Sequence, residues 1–274
     1  MTYKTILVHV DDSARSPERV ALATDLARRY DAHLVGLYVV CQDVLRPLLT
    51  GEESLNLGAN EARHAERLRE AQDRFTAAGE QAGCKWEWRA PAGPPADAAI
   101  LHARHADLVV LGQEDPDDPA THVAGHFVED VAMCAGRPVV VVPYAGPVAT
   151  FGENVIVAWD GGREAARALA DALPILERAR FVTVATVEKR EREAPAGFDV
   201  ARYLERHRIR AGFVTIPRDS GSSTGATLLN QLSDRHADLL VMGAYGHARA
   251  RERILGGVTR TLLETMTVPV FLSH

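Results

Sequence analysis

A glycine-rich stretch around residue 250 has the composition and spacing of an anion-binding loop. Four glycines follow the pattern G-x-x-G, nine residues, G-G, namely Gly243, Gly246, Gly256 and Gly257. Glycine lets the backbone approach a ligand closely, and free N–H groups at the start of a helix attract anions. Arg249 lies within the nine-residue spacer and adds positive charge. The stretch is therefore predicted to bind phosphate.

Two side chains near this loop could add polar contacts to a bound nucleotide. Asp160 directly follows the predicted strand Asn154–Trp159, and its carboxylate can accept hydrogen bonds from a sugar or a base. Thr259 lies in the first turn of the predicted helix and offers a hydroxyl. Structural alternatives remain open: Asp160 can simply end a strand or cap a helix. The arginines can form a solvated face, and the glycines can be the relic of a lost site.

The residues of this candidate site belong to one copy of a duplicated unit. His105–Gly112 (HADLVVLG) recurs 131 residues later as His236–Gly243 (HADLLVMG). Ile6–Asp11 matches Val155–Asp160 at a spacing of 149 residues, so the first copy is 18 residues longer between these blocks. Internal repetition of this kind indicates two domains of one fold. We predict an N-terminal domain over residues 1–145 and a C-terminal domain over residues 152–274.

Each copy alternates strands and helices in the order βαβαβαβαβ, which predicts α/β domains with parallel, doubly wound sheets. In such sheets, ligands bind beyond the carboxyl ends of the strands. The predicted elements include one helix over Arg163–Ile175, a helix over Val123–Ala135 and the strand Pro138–Val142. Asp160 and Gly243 both follow or end predicted strands, so the fold would bring them to the same edge.

Composition and charge narrow the class of protein. The 274 residues include three widely spaced cysteines without a C-x-x-C motif, and no apolar run could span a bilayer. We therefore expect a cytoplasmic protein with no membrane association. The net charge of −6 argues against nucleic-acid binding. Residues 1–146 contain 14 Lys+Arg against 22 Asp+Glu, whereas residues 147–274 contain 17 against 15, so an anion would prefer the second half.

With these motifs in place, the chain resembles a tandem universal stress protein. The resemblance rests on the duplicated unit, the aspartate after the first strand and the spaced glycines. It implies binding of ATP or another adenine nucleotide, with which Mg²⁺ can associate, and two adenine nucleotide alpha hydrolase-like domains packed as an intramolecular pseudo-dimer. It also implies that adenine lies near Val187. The candidate nucleotide site then comprises Asp160, Val187, Met242, Gly243, Gly246, Arg249, Gly256, Gly257, Val258 and Thr259.

The chain departs from the family motif in both halves. Gly257 stands where the family has serine or threonine, so one hydroxyl is lost. In the first half, Asp115 replaces the second glycine and His126 replaces the serine or threonine. Acidic residues crowd the same loop, namely Glu114, Asp115, Asp117 and Asp118. Four carboxylates repel a triphosphate. We therefore predict that the first half does not bind ATP in the way of the family.

The sequence favours a stress-response regulator that binds ATP or AMP in its C-terminal half. It contains no P-loop, no G-x-S-x-G elbow and no H-E-x-x-H motif. Two alternatives stay open: a slow ATP hydrolase, and a nucleotide-independent scaffold in which both motifs are relics. We name no catalytic residue and no metal site. Protein partners and a homodimer are both compatible with the sequence.

Overall fold

The structure is a computed structural model that describes residues 2–40, 57–118, 126–187, 198–217, 223–244 and 257–274. Its contacts divide the chain into two compact units, Tyr3–Ala135 and Gly136–His274, and the first two residues are grouped with the latter. Within the described ranges, every helix is too short or too polar to cross a membrane.

The first unit contains four parallel strands in the order β3-β2-β1-β4. A buried run of apolar side chains forms the central strand, and amphipathic helices alternate with the strands along the chain. The elements are β1 (Thr5–Val10), α1 (Ser16–Tyr30), β2 (His33–Tyr38), α2 (Leu57–Ala82), β3 (Trp86–Arg89), α3 (Pro95–Ala103), β4 (Leu108–Gly112) and α4 (Phe127–Cys134). Except for Thr5, all residues of β1 are buried, so this strand lies in the core.

The long helix α2 covers the outer strands of the first unit with an aromatic cluster. Phe75 is fully buried, and its ring lies 6.0 Å from that of Trp86 and 5.4 Å from that of Trp88. Gly36 on β2 makes room for this ring, because a Cβ atom there would lie 2.7 Å from it. The edge strand β3 is thereby partly covered on the side of α2.

The second unit contains a six-stranded sheet in the order β5-β10-β9-β6-β7-β8. Its strands are parallel except that β5 runs antiparallel to β10, with Val141 opposite Val270. The elements are β5 (Val139–Val142), β6 (Asn154–Ala158), α5 (Arg163–Asp171), α6 (Leu173–Leu176), β7 (Phe181–Val187), α7 (Phe198–Arg206), β8 (Ala211–Ile216), α8 (Thr224–Asp234), β9 (Leu239–Gly243), α9 (Gly257–Thr265) and β10 (Val270–Ser273).

The structure differs from the predicted elements at three points. The helix predicted over Arg163–Ile175 is divided into α5 and α6, because Pro174 cannot donate a backbone hydrogen bond and its ring disturbs the preceding turn. The start of the helix predicted over Val123–Ala135 lies outside the described residues, and α4 begins at Phe127. The contacts group the strand β5, counted with the first domain in the sequence, with the second unit, in which it pairs with β10.

Much of the length difference between the two copies lies in one pair of helices. Helix α2 has 26 residues, whereas its counterpart α7 has nine. The helix between the second and third strands is therefore much shorter in the second unit than in the first.

Candidate functional site

Four of the predicted site residues of the second unit lie at or just beyond the carboxyl ends of neighbouring parallel strands. Asp160 lies two residues beyond the end of β6, Val187 ends β7, and Met242 and Gly243 end β9. The ladder places Val157 of β6 opposite Val241 of β9, so these strands end at similar heights. The sheet therefore brings the predicted residues of β6, β7 and β9 to one edge. This is the edge at which doubly wound folds bind ligands.

The carboxylate of Asp160 is exposed at this edge. Its Oδ1 accepts a hydrogen bond of 2.8 Å from the backbone N–H of Gly162, which immediately precedes α5. The turn between them uses a positive φ of 75° at Gly161, a conformation that glycine adopts easily. Asp160 thus shapes the entry to α5, and the same exposed carboxylate can accept hydrogen bonds from a ligand.

Gly243 lies directly against the first turn of α5. A Cβ atom at this position would lie 2.5 Å from the backbone N of Ala165 and 2.5 Å from the backbone carbonyl carbon of Glu164. No side chain fits there without moving the helix. The sequence interpretation gave this glycine a role in a turn and in the approach of a ligand, whereas the structure adds a packing role against α5.

Glu164 is a buried acidic residue beside this glycine. Its Oε1 accepts a 3.0 Å hydrogen bond from Nε of Arg163 and forms an ion pair with Nη2 of the same residue at 2.8 Å. Burial raises the pKa of this carboxyl, but its own backbone N–H and Arg163 outweigh that effect and hold the pKa below its usual range. Glu164 is therefore ionised at neutral pH and contributes a negative charge near Gly243.

The first turn of α9 contributes the remaining described residues of the predicted site. Gly257 begins the helix, and a Cβ atom built on it meets none of the residues that the structure describes within 4 Å. Val258 is partly buried, and Thr259 is only 3% exposed, so its side chain is not open to solvent. The other predicted residues, Gly246, Arg249 and Gly256, lie outside the described residues.

In the first unit, the aspartate equivalent to Asp160 is buried in a network of internal partners. Asp11 Oδ1 lies 2.7 Å from Nη2 of Arg19, and both side chains are at most 5% exposed. The same oxygen accepts hydrogen bonds from the backbone N–H of Ser13 at 3.1 Å and from its hydroxyl at 2.6 Å. Burial raises the pKa of Asp11, but Arg19, His9 and Ser13 outweigh it and lower the pKa to about 2. Asp11 is therefore a charged group that is neutralised within the fold.

Arg19 also fills the space beside the glycine that ends β4. A Cβ atom at Gly112 would lie 1.9 Å from Nη1 of Arg19, and Nε of Arg19 donates a 2.7 Å hydrogen bond to the backbone carbonyl of His9. His9 Nε2 in turn bonds the carbonyl of Val39 at 2.9 Å. Burial, opposed by Asp11, lowers the pKa of His9 to about 4, so this imidazole is neutral at pH 7. The guanidinium of Arg19 thus lies against the carboxyl ends of β1 and β4.

The acidic loop after β4 contacts the loop after β1. Asp118 Oδ2 accepts a 2.9 Å hydrogen bond from the backbone N–H of Ala14, and Asp115 Oδ1 accepts one of 3.0 Å from Asp117. His126 lies at a positive φ of 72° just before α4 and has an exposed side chain. Carboxylates and an internal arginine therefore surround the edge of the first unit where the family motif would lie.

Sequence reasoning missed the role of Arg19, although a signal was present. On α1, Arg19 shares one helical face with Ala23, Leu26 and Tyr30, all of which are buried. A charged residue on an otherwise apolar face indicates a buried ion pair. In the second repeat the corresponding position, 149 residues later, is Ala168. The internal cation of the first unit thus has no counterpart at this position in the second.

The histidines do not form a metal centre in the part of the chain that the structure describes. No group of three or more histidine, cysteine, aspartate or glutamate side chains there could hold a metal ion. His102 Nδ1 instead lies 3.1 Å from Nη1 of Arg89.

Two successive copies of one α/β unit, each with an aspartate after its first strand and a glycine ending its fourth, define a tandem doubly wound protein. The sequence model of the universal stress protein family matches this chain twice, over residues 2–143 and 152–274. The chain therefore belongs to the universal stress protein family and contains the family domain twice. The predicted family and the predicted α/β fold class are both confirmed.

Solved structures agree with this fold along the whole chain. A universal stress protein from Archaeoglobus fulgidus is 18% identical, with a TM-score of 0.76 over 98% of this chain and 97% of its own. A functionally unknown protein from Pseudomonas aeruginosa is 14% identical, with a TM-score of 0.59 over 99% of this chain and 92% of its own. A universal stress protein solved with cAMP is 27% identical over 53% of this chain and all of its own, with a TM-score of 0.36, too low to carry an argument about the site. No protein with a curated description matches significantly.

Proposed function

We propose that this chain is a cytoplasmic stress-response regulator that binds one adenine nucleotide, ATP or AMP, in its second unit. One observation carries the proposal, namely the contrast between the two aspartates that follow the first strands. Asp160 is exposed beside Gly243, whereas Asp11 is buried and paired with Arg19 at 2.7 Å. An exposed carboxylate can bind ribose hydroxyl groups, whereas a carboxylate with satisfied internal partners cannot do so without losing them.

The residues of the second unit have chemistry that suits an adenine nucleotide. Asp160 would accept hydrogen bonds from ribose, and Val187 at the end of β7 would lie near adenine. The N–H groups of Gly257 and Val258 at the start of α9 would donate to phosphate oxygens, because the first turn of a helix leaves them free. Gly246, Arg249 and Gly256 enter the proposal through the sequence motif alone. Mg²⁺ bound with the nucleotide would neutralise part of the phosphate charge.

The first unit is proposed to be a closed partner that does not bind nucleotide. A phosphate group approaching its edge would meet the carboxylates of the loop Glu114–Asp118. For its ribose to reach Asp11, the nucleotide would also have to displace Arg19, which would leave a buried carboxylate without its cation. Electrostatic repulsion and the cost of opening this ion pair both oppose binding there.

Calorimetric titration of the full chain with ATP and with AMP tests the proposal. We expect one nucleotide per chain and an at least tenfold weaker affinity in Gly246→Asp, which copies the residue at the equivalent position of the first unit. The matched control is Asp115→Gly, which restores the glycine of the first unit and should leave one site per chain, because Arg19 still fills it. Absence of binding to the wild type would support the scaffold alternative. ATP turnover abolished by Gly246→Asp would support the hydrolase.

The variant Gly257→Ser restores the hydroxyl of the family motif and is expected to bind ATP about three- to tenfold more tightly, as one added hydrogen bond to phosphate implies. None of the described residues lies within 4 Å of a Cβ atom at Gly257, so the serine side chain should fit and the urea midpoint should not fall. Gly257→Ala provides the control, because it adds the Cβ atom without the hydroxyl. Equal ATP affinity of the serine and alanine variants would show that the hydroxyl does not reach the phosphates.

A further inference from the structure

The edge strand β8 of the second unit has an exposed aromatic side chain where the first unit has a partly covered one. The ladders place Trp88 of β3 opposite Gly36, and Phe213 of β8 opposite Val184. Gly36 in turn lies opposite Val8 of β1, and Val184 lies opposite Val157 of β6. Because Val8 and Val157 are equivalent residues of the two repeats, the positions of Trp88 and Phe213 correspond. Trp88 packs near Phe75 of the long helix α2, whereas Phe213 is 49% exposed and the corresponding helix α7 has only nine residues.

Exposed arginines surround the amino end of the same strand. Arg206 ends α7, Arg208 and Arg210 precede β8, and Arg180 precedes β7, the neighbour of β8. Among the residues that the structure describes, none of these four guanidinium groups has a carboxylate partner. Four guanidinium groups without a carboxylate partner therefore lie together at one end of β8, whereas an exposed arginine such as Arg28 pairs with Asp25 at 2.9 Å.

A second exposed aromatic residue lies within this basic region. Phe181 begins β7 and is 56% exposed, and the guanidinium of Arg180 lies 5.2 Å from the centre of its ring. Because Val182 is opposite Ala211, Phe181 lies close to the start of β8 and to Arg210. Apolar surface and positive charge thus occur together.

We propose that β8 and its arginines Arg206, Arg208 and Arg210, together called the β8 edge, bind an extended acidic segment of a partner protein. The segment would add a strand to the sheet, because the outer side of β8 has no neighbouring strand among the described residues. Acidic side chains of the partner would pair with the arginines, and an apolar side chain would cover Phe213. This inference does not depend on nucleotide binding in the second unit.

Charge and backbone chemistry favour this occupant over two others. A second copy of the chain is disfavoured, because its own β8 strand (AGFVTI) contains no acidic side chain and would bring a second set of the same arginines to the edge. A single-stranded RNA would satisfy the arginines, but it could not complete the backbone hydrogen bonds of an edge strand. An acidic peptide satisfies both the charge and the strand edge.

The test uses a fluorescent peptide of about 12 residues in which glutamate alternates with valine or threonine, a length that covers one strand and its flanks. Fluorescence anisotropy should show binding to the full chain and an at least tenfold loss of affinity in Arg208→Gln/Arg210→Gln. Arg69→Gln is the matched control, because Arg69 on α2 is also exposed and has no carboxylate partner in the described residues. It should bind like the wild type.

Two further measurements separate strand addition from simple charge attraction. A peptide of the same sequence with alternate backbone nitrogens methylated should not bind, and the unmethylated peptide should slow amide exchange over Ala211–Ile216. Equal binding of the methylated peptide, or no binding of either peptide, would overturn the proposal. So would preferential binding of oligouridylate. If the wild type does not bind the peptide but the double variant self-associates, the arginines only protect the edge, and the proposal is overturned.

Discussion

Replacing Arg19 by leucine is expected to lower the free energy of unfolding by about 3–5 kcal/mol at pH 7, the usual cost of leaving one partner of a buried ion pair uncompensated. The carboxylate of Asp11 would keep its burial but lose the cation 2.7 Å away. The backbone carbonyl of His9 would lose its 2.7 Å hydrogen bond from Nε of Arg19 as well. Urea unfolding followed by circular dichroism measures the loss.

The same helix provides the matched control for this substitution. Arg28 on α1 pairs with Asp25 at 2.9 Å, but its side chain is 67% exposed. Exposed ion pairs contribute little, so Arg28→Leu should change the free energy of unfolding by less than about 1 kcal/mol. Equal losses in the two variants would mean that Arg19 does not neutralise a buried charge.

The pH dependence gives an independent check with a definite sign. In the wild type, the pKa of Asp11 is about 2 in the folded state against an ordinary 3.8. The stabilisation is therefore present above pH 4 and is lost as the pH falls toward 2. In Arg19→Leu, burial dominates and raises the pKa of Asp11. The cost of the substitution should then be largest at pH 7 and should shrink at pH 4, where the lone carboxyl can take up a proton.

The sequence was sufficient for the fold because the strands are continuous buried runs separated by amphipathic helices. The strand predicted over Asn154–Trp159 forms as β6 with the same first residue, and the strand predicted over Pro138–Val142 forms as β5 with the same last residue. The partner of β5 could not be derived in this way, since a run of four valines is compatible with any neighbouring strand. Sequence patterns identify strands, whereas the order and direction of pairing depend on tertiary contacts.

The candidate site shows the same division between local and tertiary information. The spaced glycines and the aspartates after the first strands were visible in the sequence. The ion pair between Arg19 and Asp11 was not, because the identity of a partner eight residues away depends on how α1 packs against β1 and β4. This ion pair nevertheless distinguishes the two halves more clearly than the missing glycine does. The carboxylate after the first strand is neutralised within the fold in the first half, whereas in the second half it is exposed and can accept hydrogen bonds.

Gly243→Ala is expected to destabilise the chain by about 3 kcal/mol even in the absence of any nucleotide. The added methyl group would lie 2.5 Å from backbone atoms of Glu164 and Ala165, and backbone in the first turn of a helix cannot move aside as a flexible side chain can. Helix α5 would have to shift away from β9, and the turn held by Asp160 would shift with it. Urea unfolding of the nucleotide-free protein measures this effect.

Gly257→Ala distinguishes packing from ligand approach as the reason for a glycine in this motif. Its Cβ atom has no neighbour within 4 Å in the described part of the chain, so the variant should unfold at nearly the same urea concentration as the wild type. If Gly243→Ala were equally stable and lost only ATP affinity, the glycine would serve the ligand alone. A large loss of stability confined to Gly243→Ala would instead mean that the same residue sets the distance between α5 and β9 and thereby the position of Asp160. In that case a glycine at the end of the fourth strand is required by the fold before any nucleotide binds.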